Sequence, residues 1–524
     1  MQLIDGSGLR DDGPAADLSA EEQRRRLGPA EIDAVDALLE RALCLGAGFK
    51  RQDEVFRART RPEELRDALV VDLAEAGMPV EGVLEEFAVT VLPWCKNEAS
   101  PRFLGFADTG DDVAALAGEL LSVFTQQNLI NQSFDAPSAT FVEIAVLRWL
   151  RELLGLSNRP VDELRSVWDV GGLVTPGGTM SNTVAMMLAR ERMAPGTMRR
   201  GVCDPGRFAI VVPAGVGHYS VKSALTWIGV GAQLIEVGTR GYRYDLVELR
   251  AALRAHAGRV MAVVAYAGDS RTQTVDDLAA VRDVVRGEDE RIWLHADACW
   301  GLVCAFSDRL RHLIAGMADF DSITVDPHKV MAVPYSLSAL LVRDPAVPRT
   351  ISSYSDLIMQ EDFAFGQVTP FVGSKPWLSL KLWMMMRTRG RDGLRVMVEQ
   401  RLDLRDRFVR LVDGHPELLR LHDPDLAAVV FLYLPSTVDV PVAGDEEVER
   451  LNEVSLRIHA ELLASADWHL HQFTLPDDTG RVRRGAVLRP LRLLAGNPRS
   501  TDADLRGVLD AVVALGRRHW EATA

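Results

Sequence analysis

The sequence predicts an α/β protein: a mostly parallel central sheet with helices on both faces, an N-terminal helical segment before it and a small C-terminal α/β domain after it. Two observations carry this. From about residue 100 to 395, short apolar runs rich in Val and Ile alternate with stretches of helical periodicity, the pattern of a sheet whose strands are joined by crossover helices. The residues able to do chemistry then fall just beyond the strand ends, where open α/β sheets hold their ligands.

The elements follow in order. Residues 1 to 28 are polar, broken by Gly-Pro and Glu-Glu-Gln-Arg-Arg-Arg, and read as a loose arm. Helices are predicted from Pro29 to Leu45, from Pro62, and from Val80 to Leu92, because apolar residues recur there at helical spacing. A helix from Pro137 through Glu143 to Gly155 opens the large domain. It continues through the strand Phe208–Val212, helix Val221–Ile228, strand Gln233–Glu236, helix Leu246–Ala257, strand Val260–Tyr266 and helix Val275–Val285. The expected divisions are 1–99, 100–395 and 396–524, the last with strands at Ala428–Leu434 and Val487–Leu494 and a closing helix at Asp502–Ala514.

Composition bounds the function. The chain has 524 residues, 47% hydrophobic and 25% charged, as globular proteins do. A net charge of −15 argues against nucleic acid as a partner. No apolar run approaches the roughly 20 residues of a membrane span, and the acidic N-terminus lacks a signal pattern, so a cytoplasmic location is expected. The five cysteines, 44, 95, 203, 299 and 304, match no metal spacing, and no metal is expected. His469 and His471 alternate on a predicted strand and read as structural or surface residues.

Lys329, in Asp326-Pro327-His328-Lys329, stands 32 residues after Asp297 in Trp293-Leu294-His295-Ala296-Asp297. Each follows a short apolar strand, Ile292–His295 or Asp321–Val325. A lysine so placed can condense with the aldehyde of pyridoxal phosphate. A carboxylate can pair with the pyridinium nitrogen and keep it protonated, so that the ring accepts electrons. Thr175-Pro176-Gly177-Gly178-Thr179-Met180-Ser181-Asn182 leads into a helix and suits a phosphate. His218 follows an apolar strand and is placed to stack on the ring.

These segments, in this order, resemble the group II pyridoxal-phosphate-dependent amino-acid decarboxylases over roughly residues 95 to 505. Further parts of the resemblance are Pro101-Arg102-Phe103-Leu104-Gly105-Phe106 and the late Arg492-Leu493-Leu494-Ala495-Gly496-Asn497-Pro498. The resemblance implies the aspartate-aminotransferase-like fold (fold type I), pyridoxal phosphate as cofactor, and a homodimer with active sites at the subunit interface. It implies Lys329 as the cofactor-bound lysine, Asp297 as partner of the ring nitrogen and His218 as the ring-stacking base. Gly178, Thr179, Asn182, Ala298 and His328 join them around the cofactor. Arg492 would receive the substrate α-carboxylate, as its planar fork of donors suits. Tyr354 would return a proton to the substrate carbon from a lid loop containing Gly366 and Gly373. Gly373 and Ser374 would reach the cofactor phosphate of a partner subunit.

The candidate pocket residues Phe103, Phe106, Ala107, Asn131 and Phe134, joined by Phe363 and Phe365, are largely apolar, with Arg102 the sole countercharge in reach. A charged substrate side chain would need a buried partner. The expectation is therefore decarboxylation of a hydrophobic L-amino acid (methionine, valine or leucine) to amine and CO2. An aromatic substrate is the nearest alternative; a decarboxylation-coupled oxidase or other lyase on the same fold, and a catalytically silent partner protein, are further ones. Two departures from the family pattern stand out. Asp269 and Arg271 occupy a turn that is usually threonine-rich, and Leu302 follows Gly301 where a second glycine is common.

Overall fold

The computed structural model describes residues 29–56, 61–106, 108–356, 363–368 and 371–523. The arm predicted over residues 1–28, and Ala107, lie outside the described residues. The chain divides into two compact units: residues up to Phe103 with Leu462–His469, and Leu104–Glu461 with Leu470–Ala524.

The first unit holds the helices Pro29–Lys50, Pro62–Leu69 and Val80–Glu86. The last ends earlier than its apolar pattern predicts. Pro93 cannot donate to the carbonyl four residues back and its ring crowds it. The chain instead widens into a π turn at Phe87–Val91 and tightens into a 3-10 turn at Leu92–Trp94. Asn97 fastens the end of the first helix, its side-chain amide donating to the carbonyls of Phe49 (3.1 Å) and Gln52 (3.0 Å).

In the second unit seven strands form the main sheet: β1 (Gly172–Thr175), β2 (Ala209–Pro213), β3 (Leu234–Val237), β4 (Val260–Tyr266), β5 (Trp293–Asp297), β6 (Ser322–Val325) and β7 (Ser338–Val342). Their order is β1-β7-β6-β5-β4-β2-β3. The pairs from β3 through β6 are parallel, and β7 is antiparallel to both neighbours. β1, β2, β4, β5, β6 and β7 are buried along their whole length, which is why they read as continuous apolar runs rather than as alternation. The fold is that of α/β proteins with a mostly parallel sheet, as the sequence predicts.

A second sheet is built from β8 (Leu418–Arg420), β9 (Ala428–Tyr433), β10 (His471–Gln472) and β11 (Leu491–Leu494), in the order β8-β9-β11-β10. The single strand expected over Val487–Leu494 is two strands. Pro490 has no N–H for a ladder, so Val487–Leu488 pairs with Leu475–Pro476 while β11 pairs with β9 and β10. The closing helix runs further than expected, Asp502–Ala522, and starts from a capping box of Thr501 and Asp504. The helix Ser379–Asp413 breaks at Gly390 (φ 59°) and spans the position 395/396 expected as a domain boundary.

One ion pair joins distant parts of this unit. Lys375 Nζ lies 2.6 and 2.8 Å from the two carboxylate oxygens of Glu143, and both residues are buried. Removing one partner leaves the other charged and alone. Lys375→Met is expected to cost about 3–5 kcal/mol, read as a lower midpoint in chemical unfolding, and a Glu143→Gln/Lys375→Met pair should recover part of it.

Candidate active site

The site is organised by a chain of hydrogen bonds that runs from the first residues of β5 and β6 to Asp297 at the carboxyl end of β5. Trp293 Nε1, which can only donate, gives its hydrogen to Ser322 Oγ (2.7 Å). Ser322 Oγ lies 2.8 Å from His295 Nδ1, and His295 Nε2 lies 3.0 Å from Asn182 Oδ1. Asn182 Nδ2 donates to Asp297 Oδ2 (3.0 Å) and to Ser220 Oγ (2.9 Å). Ser220 Oγ is 2.7 Å from His218 Nδ1, which also accepts from Ser220 N (3.3 Å). Asp297 is acceptor-only, so the orientation of Asn182 and the sense of every link are fixed. His295 carries its proton on Nε2, and His218, accepting at Nδ1, carries its own on Nε2.

Electrostatics agree with this. Burial pushes His295 down to about 4, so it is neutral. Burial also lowers His218, against the pull of Asp297. For Asp297 burial acts upward, but His218, the Cys299 thiol and Lys329 outweigh it and hold the carboxyl below its usual range; the Cys299 N–H also donates to Oδ1 (3.2 Å). It is therefore an anion, suited to a protonated ring nitrogen.

Lys329 sits on the short helix Pro327–Val330 after β6. Its Nζ pairs with Asp326 Oδ2 (2.7 Å) and lies 5.4 Å from the Trp300 ring. Burial opposes its charge, but Cys299, Asp326 and Asp297 together raise it above the ordinary lysine value. Asp326 also accepts from Ser338 Oγ. Sequence reasoning passed over Asp326, although it stands three residues before the lysine. His328 is buried and turns Nδ1 to the backbone of Leu337 (2.6 Å from its carbonyl).

Gly178 begins the helix Gly178–Met193, whose N-cap Gly177 supplies no side-chain cap. A Cβ at Gly178 would lie 2.8 and 2.9 Å from the Asp326 oxygens and 2.9 Å from Cys299 Sγ. Only glycine permits this approach, and the helix N-terminus beside it is left open to an anion. Thr179 is half-buried there, and Ala298 is buried with its N–H on Thr324 O (2.8 Å). An anionic carboxylate, a half-buried lysine, a neighbouring histidine and an uncapped helix start fit pyridoxal phosphate.

Arg492, on β11, is wholly buried. Its Nη1 donates to Ser270 O (2.6 Å) and Arg271 O (3.1 Å), while Nε and Nη2 have no partner among the described residues. That leaves one two-donor edge free. Burial pushes it down to about 10, so it remains a cation at neutral pH. It lines a cavity of about 730 Å³ together with Phe106, His218, Ser270, His471 and Phe473, among others.

The turn that departs from the family pattern supports this arginine. Asp269 is buried and accepts from the N–H groups of Arg271 (2.7 Å), Thr272 (2.8 Å) and Thr274 (2.8 Å) and from the Thr272 hydroxyl. It thereby aims the Ser270 and Arg271 carbonyls at Arg492. Arg271 is tied by Nε to Thr474 O (3.1 Å) and by Nη1 to Gly217 O (3.3 Å).

Other expected site residues lie elsewhere. Phe103 stacks on His469 (4.8 Å) in the first unit, where Arg102 packs on Trp468. Asn131 is fully buried and accepts from Ser133 N (2.7 Å), closing a turn. Phe134 is exposed, Phe363 packs on Phe141, and Phe365 is in the core. Tyr354 is 70% exposed and, like Gly373 and Ser374, is outside the cavity lining. Of the expected pocket residues that are described, Phe106 alone lines the Arg492 cavity.

The model of the pyridoxal-dependent decarboxylase conserved domain matches residues 62–434. The chain belongs to that family. This decarboxylase is 26% identical to the cysteine sulfinic acid decarboxylase of Rattus norvegicus and 27% identical to that of Mus musculus, each over 87% of this chain and 90% of the relative. The crystal structure of mouse CSAD in apo form has a TM-score of 0.81 at 25% identity, covering 92% of this chain and 99% of that one. Oryza sativa TDC with PLP and tryptamine has the same fold, with a TM-score of 0.81 at 21% identity over 94% and 99% of the two chains. The protein is a pyridoxal-phosphate-dependent amino-acid decarboxylase. No helix among the described residues is long and apolar enough to cross a membrane.

Gly178→Ala should weaken cofactor retention, because the added methyl displaces Asp326 or Cys299. Dialysis followed by absorbance of the bound cofactor should show a loss of affinity of about 10-fold or more, at the ~1–3 kcal/mol scale of overpacking.

Proposed function

We propose that this decarboxylase converts an L-amino acid with an uncharged, largely apolar side chain, of the methionine, valine or leucine class, to its amine and CO2. The observation that carries the reading is the unpartnered edge of buried Arg492, a residue that lines one cavity with Phe106, His471 and Phe473 and with the charged Lys222, Glu236 and Arg271. The edge suits one carboxylate, and the aromatic wall suits an apolar side chain.

Bound pyridoxal phosphate supplies the conjugated ring that accepts the electron pair left by departing CO2. The residues do the rest. Arg492 holds the substrate carboxylate. Asp297, anionic and held by Asn182, sets a fixed negative charge opposite the cofactor nitrogen. Lys329 would hold the cofactor, and Asp326 is placed to pair with the lysine ammonium. His218 holds a proton on Nε2, and Tyr354 would be a second proton donor. Gly373 and Ser374, exposed in the single chain, serve the cofactor phosphate of a partner subunit in a homodimer.

An acidic side chain is the second reading. It is favoured by the likeness to cysteine sulfinic acid decarboxylases and by Arg271 and Lys222 on the same cavity. Against it, two of the nitrogens of Arg271 are already taken by backbone carbonyls.

The test is a panel of L-amino acids, including cysteine sulfinate, glutamate and the aromatic ones, with amine and CO2 measured by mass spectrometry. Amine from methionine, valine or leucine is expected. Amine from cysteine sulfinate or glutamate alone would replace the substrate class with the acidic one, and aromatic amines alone would replace it with the aromatic one. Absence of CO2 from every member would overturn the reaction on free amino acids. Arg492→Lys, which cannot form the two-donor edge, should raise KM about 10- to 100-fold, the scale of a lost hydrogen bond to a charged group.

A further inference from the structure

His471 faces the same cavity as Arg492 and has no part in the arrangement described so far. It lies on β10, directly across from Arg492 in the antiparallel register of β10 and β11. Side chains so paired stand on one face of a sheet as nearest neighbours. The imidazole is held between two rings, 5.8 Å from Phe106 and 5.7 Å from Phe473, and Phe473 also lies 5.2 Å from the Arg492 guanidinium. His471 Nδ1 is buried and has no hydrogen-bond partner among the described residues. With Nε and Nη2 of Arg492, one cross-strand pair thus carries three buried nitrogens without partners. Unpartnered buried donors are rare and costly in native proteins, and three in one place, lining one cavity, are best explained by a ligand that accepts from all of them.

We infer that His471 is a second donor to the substrate α-carboxylate, beside Arg492, so that the departing group is held by N–H bonds from two adjacent strands. This rests on the reading of Arg492 as the carboxylate receiver. The imidazole is suited to the place because it is neutral: burial and the adjacent guanidinium push it down to about 4. A second cation there would repel Arg492 and would also bind the charged carboxylate more tightly than the neutral CO2 it becomes, which raises the barrier. A neutral N–H fixes direction without adding that charge.

The test compares two ligands that differ in the carboxylate. On the holoenzyme, calorimetry is run with 4-methylpentanoate, which has the carboxylate of leucine without its amine, and with 3-methylbutylamine, which has the amine without the carboxylate. KM and kcat are measured for the amino acid that the panel identifies. His471→Leu should weaken 4-methylpentanoate and raise KM by about 10-fold or more, and leave 3-methylbutylamine within about two-fold. His471→Asn, whose amide nitrogen falls near the position of Nδ1, should recover most of the loss. Equal weakening of both ligands would overturn the inference and make His471 a side-chain contact or a packing residue. No change in either would overturn it as well. A wild-type enzyme that binds the acid but decarboxylates no member of the panel would remove the proposed reaction while leaving the His471 comparison decisive.

Discussion

A carboxylate can only accept hydrogen bonds, and the polarity of the whole site follows from burying one at Asp297. Asn182 must turn its amide nitrogen to it, so its carbonyl must face His295, which must then be protonated on Nε2. At the far end Trp293, a donor without acceptor capacity, imposes the same sense through Ser322. The second N–H of Asn182 goes to Ser220, whose hydroxyl is left to donate to His218. The tautomer of the histidine at the cofactor face is thus determined by the charge of a residue it does not touch. A chain anchored at both ends in this way has no low-energy alternative, because reversing any link leaves a buried group unpaired.

The cation side of the site is arranged differently. Lys329 stays charged despite burial because Asp326 and Asp297 lie close to it. Asp326 can serve because Ser338 and the lysine itself satisfy it, and because Gly178 has no side chain to push it away. One glycine therefore allows a helix start, a carboxylate and the Cys299 thiol to meet. The parallel sheet makes the meeting possible, since β5 and β6 end on the same side and deliver Asp297 and Asp326 together.

How much of this was legible in the sequence depended on whether the information was local. Lys329, Asp297 and the Gly178 turn are local signals: each joins an apolar strand or a helix start to one reactive residue type. Asn182 was visible as part of the turn, but its bonds to residues near 220 and 295 were not, since they depend on strand order. The apolar pocket was legible only as a composition. Phe103, Phe134 and Phe363 are the right residue type, and nothing in their spacing says which wall they pack on; Phe106 reaches the cavity and they do not. His471 read as a surface or structural histidine because the alternation there marks a strand but not its partner: the register that sets it opposite Arg492 is not local information. The split at Pro490 could have been read in advance, as proline excludes a central ladder.

The turn from Gly268 to Thr274 shows how a departure from the family pattern can serve the family chemistry. A buried guanidinium needs a compensating charge, and Asp269 is near enough to act on Arg492. Yet its oxygens are occupied by the backbone and hydroxyl donors of its own turn, and none forms an ion pair with the arginine. Arg492 is instead held by neutral carbonyls at one nitrogen, next to a second guanidinium, Arg271, that acts against its charge. The result is a cation that the protein positions but does not neutralise. Such a group is costly until an anion arrives, and the free two-donor edge admits a carboxylate and little else. If Arg492 receives the α-carboxylate, as proposed, that cost becomes affinity for the one end that all α-amino acids share, and discrimination among them falls to the wall around it.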